Sequence, residues 1–363
     1  MSILHPRETP DLFGHEETEA HLLAAWGSGR MAHAWLITGP RGIGKATLAH
    51  RFARFILAGE GQGGLFGAAP AAPAPARSLY LAPGHPVFQR VKAGGHADLR
   101  VVERGWDDKR KRRRGEIVVD DVRQIGAFLA LTPAEGGWRV VVVDAADEMN
   151  LNAANALLKV LEEPPRRSIL LLVAHNPGAL LPTIRSRCRR LALKPLATPL
   201  VDELIRRHQP DIPDDDRAAL VGLAEGSIGR ALDLAGQGGV TLYRDMIGIL
   251  KGAPRIDVPA LHAFADRVAK GGDDGTAFHT LSELLTWWLA RLVRRGTGAG
   301  GYDEVIPGEA ELMTRLTRGG GLDQWVEVWE KITRLFARAD AVSLDRRQVI
   351  LNAFLAVGKL ARS

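Results

Sequence analysis

The chain has 363 residues, 46% of them hydrophobic, and Lys plus Arg outnumber Asp plus Glu by 48 to 42. This length leaves room for two or three domains with cores of their own. The net charge of +6 permits contact with nucleic acid or acidic partners, but it is also common on soluble surfaces. A single cysteine, Cys188, excludes an internal disulfide framework and a cysteine-rich zinc site.

The amino terminus and the apolar runs argue against export and membrane insertion. "MSILHPRETPDLF" has no apolar stretch flanked by basic residues, as a signal peptide would have. The longest apolar runs, such as "SILLLVA", are far shorter than the roughly 18–20 residues of a membrane span. We therefore expect a soluble, cytoplasmic protein with no membrane contact.

A phosphate-binding loop motif follows the first predicted strand. "AHAWLIT" predicts a short buried strand, "GPRGIGK" has the G-x-x-x-x-G-K spacing, and "KATLAHRFARFILAG" has apolar residues at helical spacing. A helix N-terminus behind such a loop favours anions. The candidate phosphate ligands are Gly39, Gly42, Gly44 and Lys45. The hydroxyl that would hold Mg²⁺ is missing, because the next residue is Ala46.

Further strands and helices alternate as far as about residue 196. Strands are predicted at 98–103, 116–119, 138–144, 168–174 and 189–196, with amphipathic helices at 120–131 and in "NAANALLKVLEE". This alternation predicts an α/β fold with a parallel sheet and flanking helices. The segment 59–78, rich in Gly, Ala and Pro, is predicted to be a disordered insertion.

The carboxyl-terminal part is predicted to be helical throughout. We expect an α/β P-loop domain at 1–196, a small helical domain at 197–240 and an all-helical domain at 241–363. Four tryptophans are expected to pack in the core of the last domain: Trp287, Trp288, Trp325 and Trp329.

The motifs for hydrolysis are incomplete. Asp144, at the end of the strand "WRVVVVD", is the candidate Mg²⁺ ligand, but Ala145 stands where a catalytic Glu would follow. Asp147 and Glu148 lie on the next turn and would need an unusual path to the phosphate. Since two separate parts of one hydrolytic site are missing, we interpret the loop as retained for structure or for binding ATP or ADP without turnover.

Three segments together resemble the bacterial clamp loader of DNA polymerase III, an AAA+ assembly, and most closely its delta-prime family of subunits. They are "MAHAWLITGPRGIGKATLA", "WRVVVVDAADEMNLNAANALLKVLEEPP" and "LLPTIRSRC". The resemblance is close up to about residue 240, and the helical remainder agrees with the family's collar domain. It implies an AAA+ domain, a helical lid and a collar, in a rigid stator within a ring that loads the sliding clamp.

The resemblance also assigns roles to single residues. Arg187 of "SRC" would be an arginine finger presented in trans to a neighbour's ATP site, the alternative being an ordinary surface arginine. Arg230 of "EGSIGRAL" would be the second sensor, which either touches a phosphate or caps the packing of lid on sheet. His175 and Asn176 stand at the first sensor, where the family usually has Thr.

A basic run and the lack of further cysteines complete the candidate sites. The run consists of Lys109, Arg110, Lys111, Arg112, Arg113 and Arg114. It is either a solvated hairpin tip or a contact for DNA phosphates or a partner. Many delta-prime and gamma subunits carry a four-cysteine zinc module between the P-loop and the strand that ends at the aspartate. This chain retains only His85 and His96 there, so we expect no zinc or other metal.

The resemblance implies gamma/tau and delta subunits, the sliding clamp and primer–template DNA as partners in a hetero-oligomer. The chain would belong to the polymerase holoenzyme while being neither a polymerase nor an active ATPase. The alternative is a self-sufficient AAA+ motor of gamma/tau type. Ala46 and Ala145 distinguish the two, since a motor needs the missing hydroxyl and carboxylate.

Overall fold

A computed structural model describes residues 5–59, 78–107, 111–135, 137–271, 275–298, 303–319, 321–342 and 344–361. The chain forms two compact units. The first comprises Met1–Val201 with Gly226–Gly229, and the second comprises Asp202–Glu225 with Arg230–Ser363. Residues 60–77, which make up nearly all of the predicted insertion, lie outside the described ranges.

The first unit is built on a parallel sheet of five strands in the order β2-β5-β6-β1-β7. The strand bounds are β1 Ala34–Thr38, β2 Leu99–Val102, β5 Arg139–Asp144, β6 Ser168–Ala174 and β7 Arg189–Ala192. Every residue of β1 and β6 is buried, and so are the first five of β5. Continuous apolar runs predict central strands of this kind because both faces of the sheet are covered.

Helices cover both faces of this sheet, and alternate strand residues face opposite cores. Their bounds are α1 Glu16–Gly27, α2 Lys45–Gly59, α3 Pro86–Lys92, α4 Val119–Ala130, α5 Leu151–Glu162 and α6 Pro182–Arg187. Trp35 and Leu171 pack in one core with Phe52 of α2. Leu172 packs in the other core with Leu157 of α5. A short 3₁₀ turn at Pro6–Glu8 precedes α1, and two others, Ala146–Glu148 and Pro177–Ala179, lie between these elements.

The predicted strand at 116–119 is wrong. Only Ile117 pairs there, in a single bridge with Met149, and α4 already begins at Val119. The Asp121 carboxylate accepts a hydrogen bond of 3.2 Å from the amide of Val118, which favours the start of a helix over a longer strand. A two-stranded antiparallel hairpin lies just before this point, formed by β3 Trp106–Asp107 and β4 Arg112–Arg113.

The second unit is helical in its described residues. After α7 Thr198–His208, its helices are α8 Asp214–Ala224, α9 Ile228–Gly236, α10 Gly239–Lys251, α11 Val258–Lys270, α12 Thr276–Gly296, α13 Glu309–Gly319, α14 Leu322–Val342 and α15 Arg346–Leu360. Trp288 and Trp325 are fully buried, whereas Trp287 and Trp329 are only partly buried. No helix in the described ranges is both long enough and apolar enough to span a bilayer. The predicted fold class, a parallel α/β domain followed by helical parts, is confirmed, while the three domain boundaries stay predictions.

Candidate functional site

The phosphate-binding loop joins β1 to α2 through three glycines in the left-handed region. Their φ angles are 145° at Gly39, 75° at Gly42 and 105° at Gly44. A Cβ at Gly39 would stand 2.6 Å from the carbonyl oxygen of Leu193, and one at Gly44 would stand 2.8 Å from Leu12 Cδ1. The loop path therefore requires glycine for both conformation and space.

Four successive carbonyls of this loop accept hydrogen bonds from the protein itself. The donors to Pro40, Arg41, Gly42 and Ile43 are Lys45 Nζ at 2.5 Å, Ser227 Oγ at 2.8 Å, the Gly229 amide at 2.9 Å and His15 Nε2 at 2.7 Å. A Cβ at Gly229 would lie 2.7 Å from Gly42 Cα, so this approach too needs glycine. The loop is held on each side by other parts of the first unit.

Lys45 and Asp144 are brought together at the carboxyl edge of the sheet. Lys45 is only 3% exposed, and burial lowers its pKa to about 8 against the opposing charges of Asp144 and Asp147. Burial raises the pKa of Asp144 to about 6, with Glu103 adding to the rise and Lys45 opposing it. Desolvation dominates both shifts, as expected for charges withdrawn from water.

No acidic side chain follows Asp144 into the position of a general base. Ala145 is 2% exposed and packs into the interior. Both carboxylate oxygens of Asp147 accept backbone hydrogen bonds, from the amides of His175 at 3.0 Å and Asn176 at 2.7 Å. Asp147 thus fixes the turn after β6 and is not placed to activate water.

Glu148 is likewise engaged elsewhere. One of its oxygens lies 3.0 Å from Arg41 of the loop, and the other lies 2.8 Å from Arg104 Nε. The carboxylate therefore links the loop to the segment that leads into the β3–β4 hairpin. Neither of the two acids that could replace the missing base is available for that task.

His175 occupies the turn at the end of β6, between β5 and β1 in the sheet. Burial lowers its pKa to about 4, and the charges of Lys45 and Arg41 lower it further. The imidazole is therefore neutral near pH 7 and adds no charge beside the loop lysine. Asn176 accepts a hydrogen bond from the Gly178 amide at 3.1 Å and caps the 3₁₀ turn that follows.

Arg187 lies apart from the loop, at the end of α6 and before the edge strand β7. Its Nη2 is 2.8 Å from Glu162 Oε1, and its Nη1 donates to the Thr183 carbonyl at 3.0 Å. The side chain is 35% exposed. Cys188, beside it, is a poor nucleophile because burial raises the pKa of its thiol to about 12.

Arg230 belongs to the second unit, whereas the loop belongs to the first. Its guanidinium lies 3.9 Å from Glu225 and 5.6 Å from the ring centre of Trp287. Both contacts are with residues of the second unit. Its predicted contact with a phosphate stays a prediction.

The basic run is only partly described. Lys109 and Arg110 lie outside the described residues, and the side chain of Arg112 does so as well. Lys111 is exposed, the Arg113 side chain is 61% exposed, and the Arg114 guanidinium lies 3.9 Å from Asp121. β3 precedes the run and β4 lies within it, and the two strands pair as an antiparallel hairpin. The contact of the run with DNA or a partner stays a prediction.

The two histidines of the cysteine-free region serve as local caps. His85 Nδ1 accepts from the Val87 amide at 3.2 Å, and His96 Nδ1 accepts from the Asp98 amide at 3.2 Å. Across the described ranges, no cluster of three or more His, Cys, Asp or Glu side chains could hold a metal ion.

Sequence reasoning missed the residues that hold the site in place. The structural role of Asp147 depends on the amides of His175 and Asn176, which lie 28 and 29 residues later in the chain. His15 and Ser227 reach the loop from 28 and 186 residues away. The one local signal was a Ser-x-Gly in "EGSIGRAL", the segment already singled out for Arg230.

Comparisons with known proteins point to one family. Residues 84–197 match the family model described as "DNA polymerase III, delta subunit". The delta-prime subunit of DNA polymerase III from Pseudomonas aeruginosa is 38% identical over 212 residues, which are 58% of this chain and 58% of that protein. The gamma/tau subunit from Mycobacterium bovis is 29% identical over 300 residues, 76% of this chain and 48% of that protein. The chain thus spans about half the length of the curated relatives it matches.

One solved structure aligns with nearly the whole chain. The crystal structure of a gamma subunit-related protein of DNA polymerase III from Thermotoga maritima is 18% identical, with a TM-score of 0.45, and covers 96% of this chain and 100% of its own. Because that TM-score is low, the fold assignment rests on the strands and helices described above. The chain is similar to clamp-loader subunits of DNA polymerase III, and the resemblance of its motifs to the delta-prime subunit is confirmed.

Proposed function

We propose that this protein acts as the delta-prime subunit of a DNA polymerase III clamp loader, a stator that does not hydrolyse ATP itself. The proposal rests on two features together. Ala46 and Ala145 stand where a hydroxyl and a carboxylate are needed, and the nearby carboxylates of Asp147 and Glu148 are bound to other groups. Asp147 binds two backbone amides, and Glu148 pairs with two arginines. Without a hydroxyl on Mg²⁺ and a base for water, the site has no means of turnover.

Arg187 gives such a subunit a role in a neighbour's chemistry. Arg187 is the last residue of α6, it lies outside its own nucleotide site, and its side chain is 35% exposed. A guanidinium supplied in trans stabilises the charge that develops on the γ-phosphoryl group. We propose that Arg187 exchanges Glu162 for the phosphate of a neighbouring subunit.

The further elements of the proposal follow from the family. The partners are gamma/tau and delta subunits, the sliding clamp and primer–template DNA, in a cytoplasmic hetero-oligomer. The loop binds ATP or ADP without turnover through Gly39, Gly42, Gly44 and Lys45. Asp144 acts as the Mg²⁺ ligand and Arg230 as the second sensor. Residues 1–196, 197–240 and 241–363 serve as AAA+ domain, lid and collar.

A gamma/tau-type motor is the second candidate. The match to the Mycobacterium gamma/tau subunit extends over more of this chain than the match to the delta-prime relative, 76% against 58%. The two functions differ in the intrinsic hydrolysis that the isolated chain performs.

The deciding experiment is reconstitution with candidate gamma/tau and delta subunits from the same organism. A stator is expected to enter the complex, to be needed for DNA- and clamp-stimulated ATP hydrolysis, and to hydrolyse nothing alone. Steady hydrolysis by the isolated chain, abolished by Lys45→Ala, would establish the motor instead. Failure to enter the complex would refute both.

A further inference from the structure

The β3–β4 hairpin is an outgrowth of the first unit whose base is fixed. Trp106 pairs with Arg113 across the two strands, and the Arg114 amide donates to the Gly105 carbonyl at 2.8 Å. Below the strands, Arg104 binds Glu148 at 2.8 Å. The strands therefore start from a defined position at the carboxyl edge of the sheet.

Trp106 is exposed on this hairpin. Its side chain is 54% exposed, whereas Trp35, Trp288 and Trp325 of the same chain are fully buried. A tryptophan contributes most when its large face is removed from water, so an indole left in solvent suggests a binding contact. Nothing in the proposed nucleotide chemistry uses this residue.

Two exposed cations lie on the same hairpin as the indole. Arg113, directly opposite, has a side chain that is 61% exposed, and its contact with Glu103 is long, at 3.8 Å. Lys111, at the turn, is exposed as well. An apolar ring beside exposed cations fits a polyanion with planar faces better than it fits an apolar protein groove.

The planar faces must belong to unpaired bases. In a duplex the base faces are stacked on one another, so a duplex offers this hairpin only its phosphates and groove edges. A single strand offers both a phosphate backbone and free base faces, which stack on aromatic side chains without regard to sequence. We propose that the hairpin binds single-stranded DNA, with a base stacked on Trp106 and phosphates beside Lys111 and Arg113. This refines the proposed function, on which it rests, by naming the part of a primer–template that this surface takes.

The full-length chain can be titrated against a labelled oligothymidylate and a labelled duplex at fixed salt. Trp106→Ala is expected to weaken oligothymidylate binding by about 5- to 150-fold, the range for loss of one stacked base, and to leave duplex binding unchanged. Trp106→Tyr should restore most of the affinity, since its ring also stacks. Leu131→Ala removes an equally exposed apolar side chain, 65% exposed, from the end of α4 and serves as the matched control.

Three results would overturn the inference: equal loss for single strand and duplex, no loss with Trp106→Ala, or loss of subunit binding with DNA affinity intact. The last would assign the indole to a protein partner. Entry of the chain into the reconstituted complex is scored separately. Failure of the clamp-loader function would therefore show in assembly, whereas failure of the hairpin inference would show in the oligothymidylate titration alone.

Discussion

The guanidinium of Arg187 lies 2.8 Å from the carboxylate of Glu162, at the end of the helix that precedes "EPP". Both side chains are partly exposed, at 35% and 49%, so the pair contributes little to stability, about 0–1 kcal/mol. Such a contact orients the arginine without holding it strongly. It is suited to a group that must leave its own subunit's carboxylate for a neighbour's phosphate.

Arg187→Ala is expected to leave the folding of the chain and its entry into the complex intact while lowering the clamp- and DNA-stimulated ATPase. A finger contributes roughly 10³–10⁵ in rate at the site it serves, but the whole complex loses less because its other sites keep their own arginines. Arg187→Lys should rescue poorly, since an ammonium lacks the planar fork of a guanidinium. Arg185→Ala, an exposed arginine on the same helix, is the control. An unchanged ATPase rate would mean that Arg187 is structural.

The isolated chain is expected to show no Mg²⁺-dependent ATP hydrolysis above background. Ala46→Thr with Ala145→Glu should not create full activity either, because position 145 is only 2% exposed and a carboxylate placed there would be desolvated. A coupled phosphate-release assay measures both proteins, with Lys45→Ala as the blank. A rate that disappears in Lys45→Ala contradicts the prediction.

Charge reversal of the hairpin, Lys111→Glu with Arg113→Glu, is expected to weaken DNA binding by the assembled complex and to flatten its salt dependence. Each lost phosphate contact removes about 0.7 from the slope of log K against log salt on single-stranded DNA, and about 0.9 on duplex DNA. Arg123→Glu on α4, 70% exposed, is a matched reversal away from the hairpin. If affinity and slope both stay unchanged, the run faces solvent or a protein.

Asp144 is expected to make the free energy of unfolding fall as pH rises from about 4 to about 6. Burial raises its folded pKa to about 6 from 3.8, so between these values the folded state holds more protons than the unfolded state. Asp144→Asn removes this effect and should stabilise the chain near pH 7 by on the order of 3 kcal/mol, with little change at pH 4. Urea unfolding of the full chain at both pH values measures the difference. Asp120→Asn, 78% exposed, is the control, and an equal effect of both substitutions would refute the assignment.

The sheet was accessible from sequence because its central strands are long apolar runs. Nearly every residue of "RVVVVD" and "SILLLVA" is buried. A short continuous apolar run of this kind is typical of a central parallel strand whose two faces are both covered. "EIVV" was not a strand, although its residues favour extended backbone. The Asp121 carboxylate accepts a hydrogen bond from the Val118 amide, and this cap favours the start of α4 at Val119 over a strand of four residues.

The site was accessible only in part, for a reason of distance along the chain. The glycine spacing, Lys45 and Asp144 form local patterns that a sequence shows directly. The partner of Arg187 is a carboxylate 25 positions earlier, and the Arg41–Glu148 pair spans 107 positions. Exposed charges have many possible partners, so their pairing emerges only once the helices and strands have placed them.

The four occupied carbonyls of the loop show that the motif also has a structural part in the first unit. Pro40, Arg41, Gly42 and Ile43 serve the fold whether or not a phosphate ever arrives. The steric requirement at Gly39 and Gly44 comes from neighbouring protein atoms, Leu193 and Leu12. The glycines of G-x-x-x-x-G-K are thus required by packing within this chain, independently of any phosphate. A variant at Gly39 or Gly44 that no longer binds nucleotide would therefore not identify a phosphate ligand, because the substitution disturbs the fold of the loop itself.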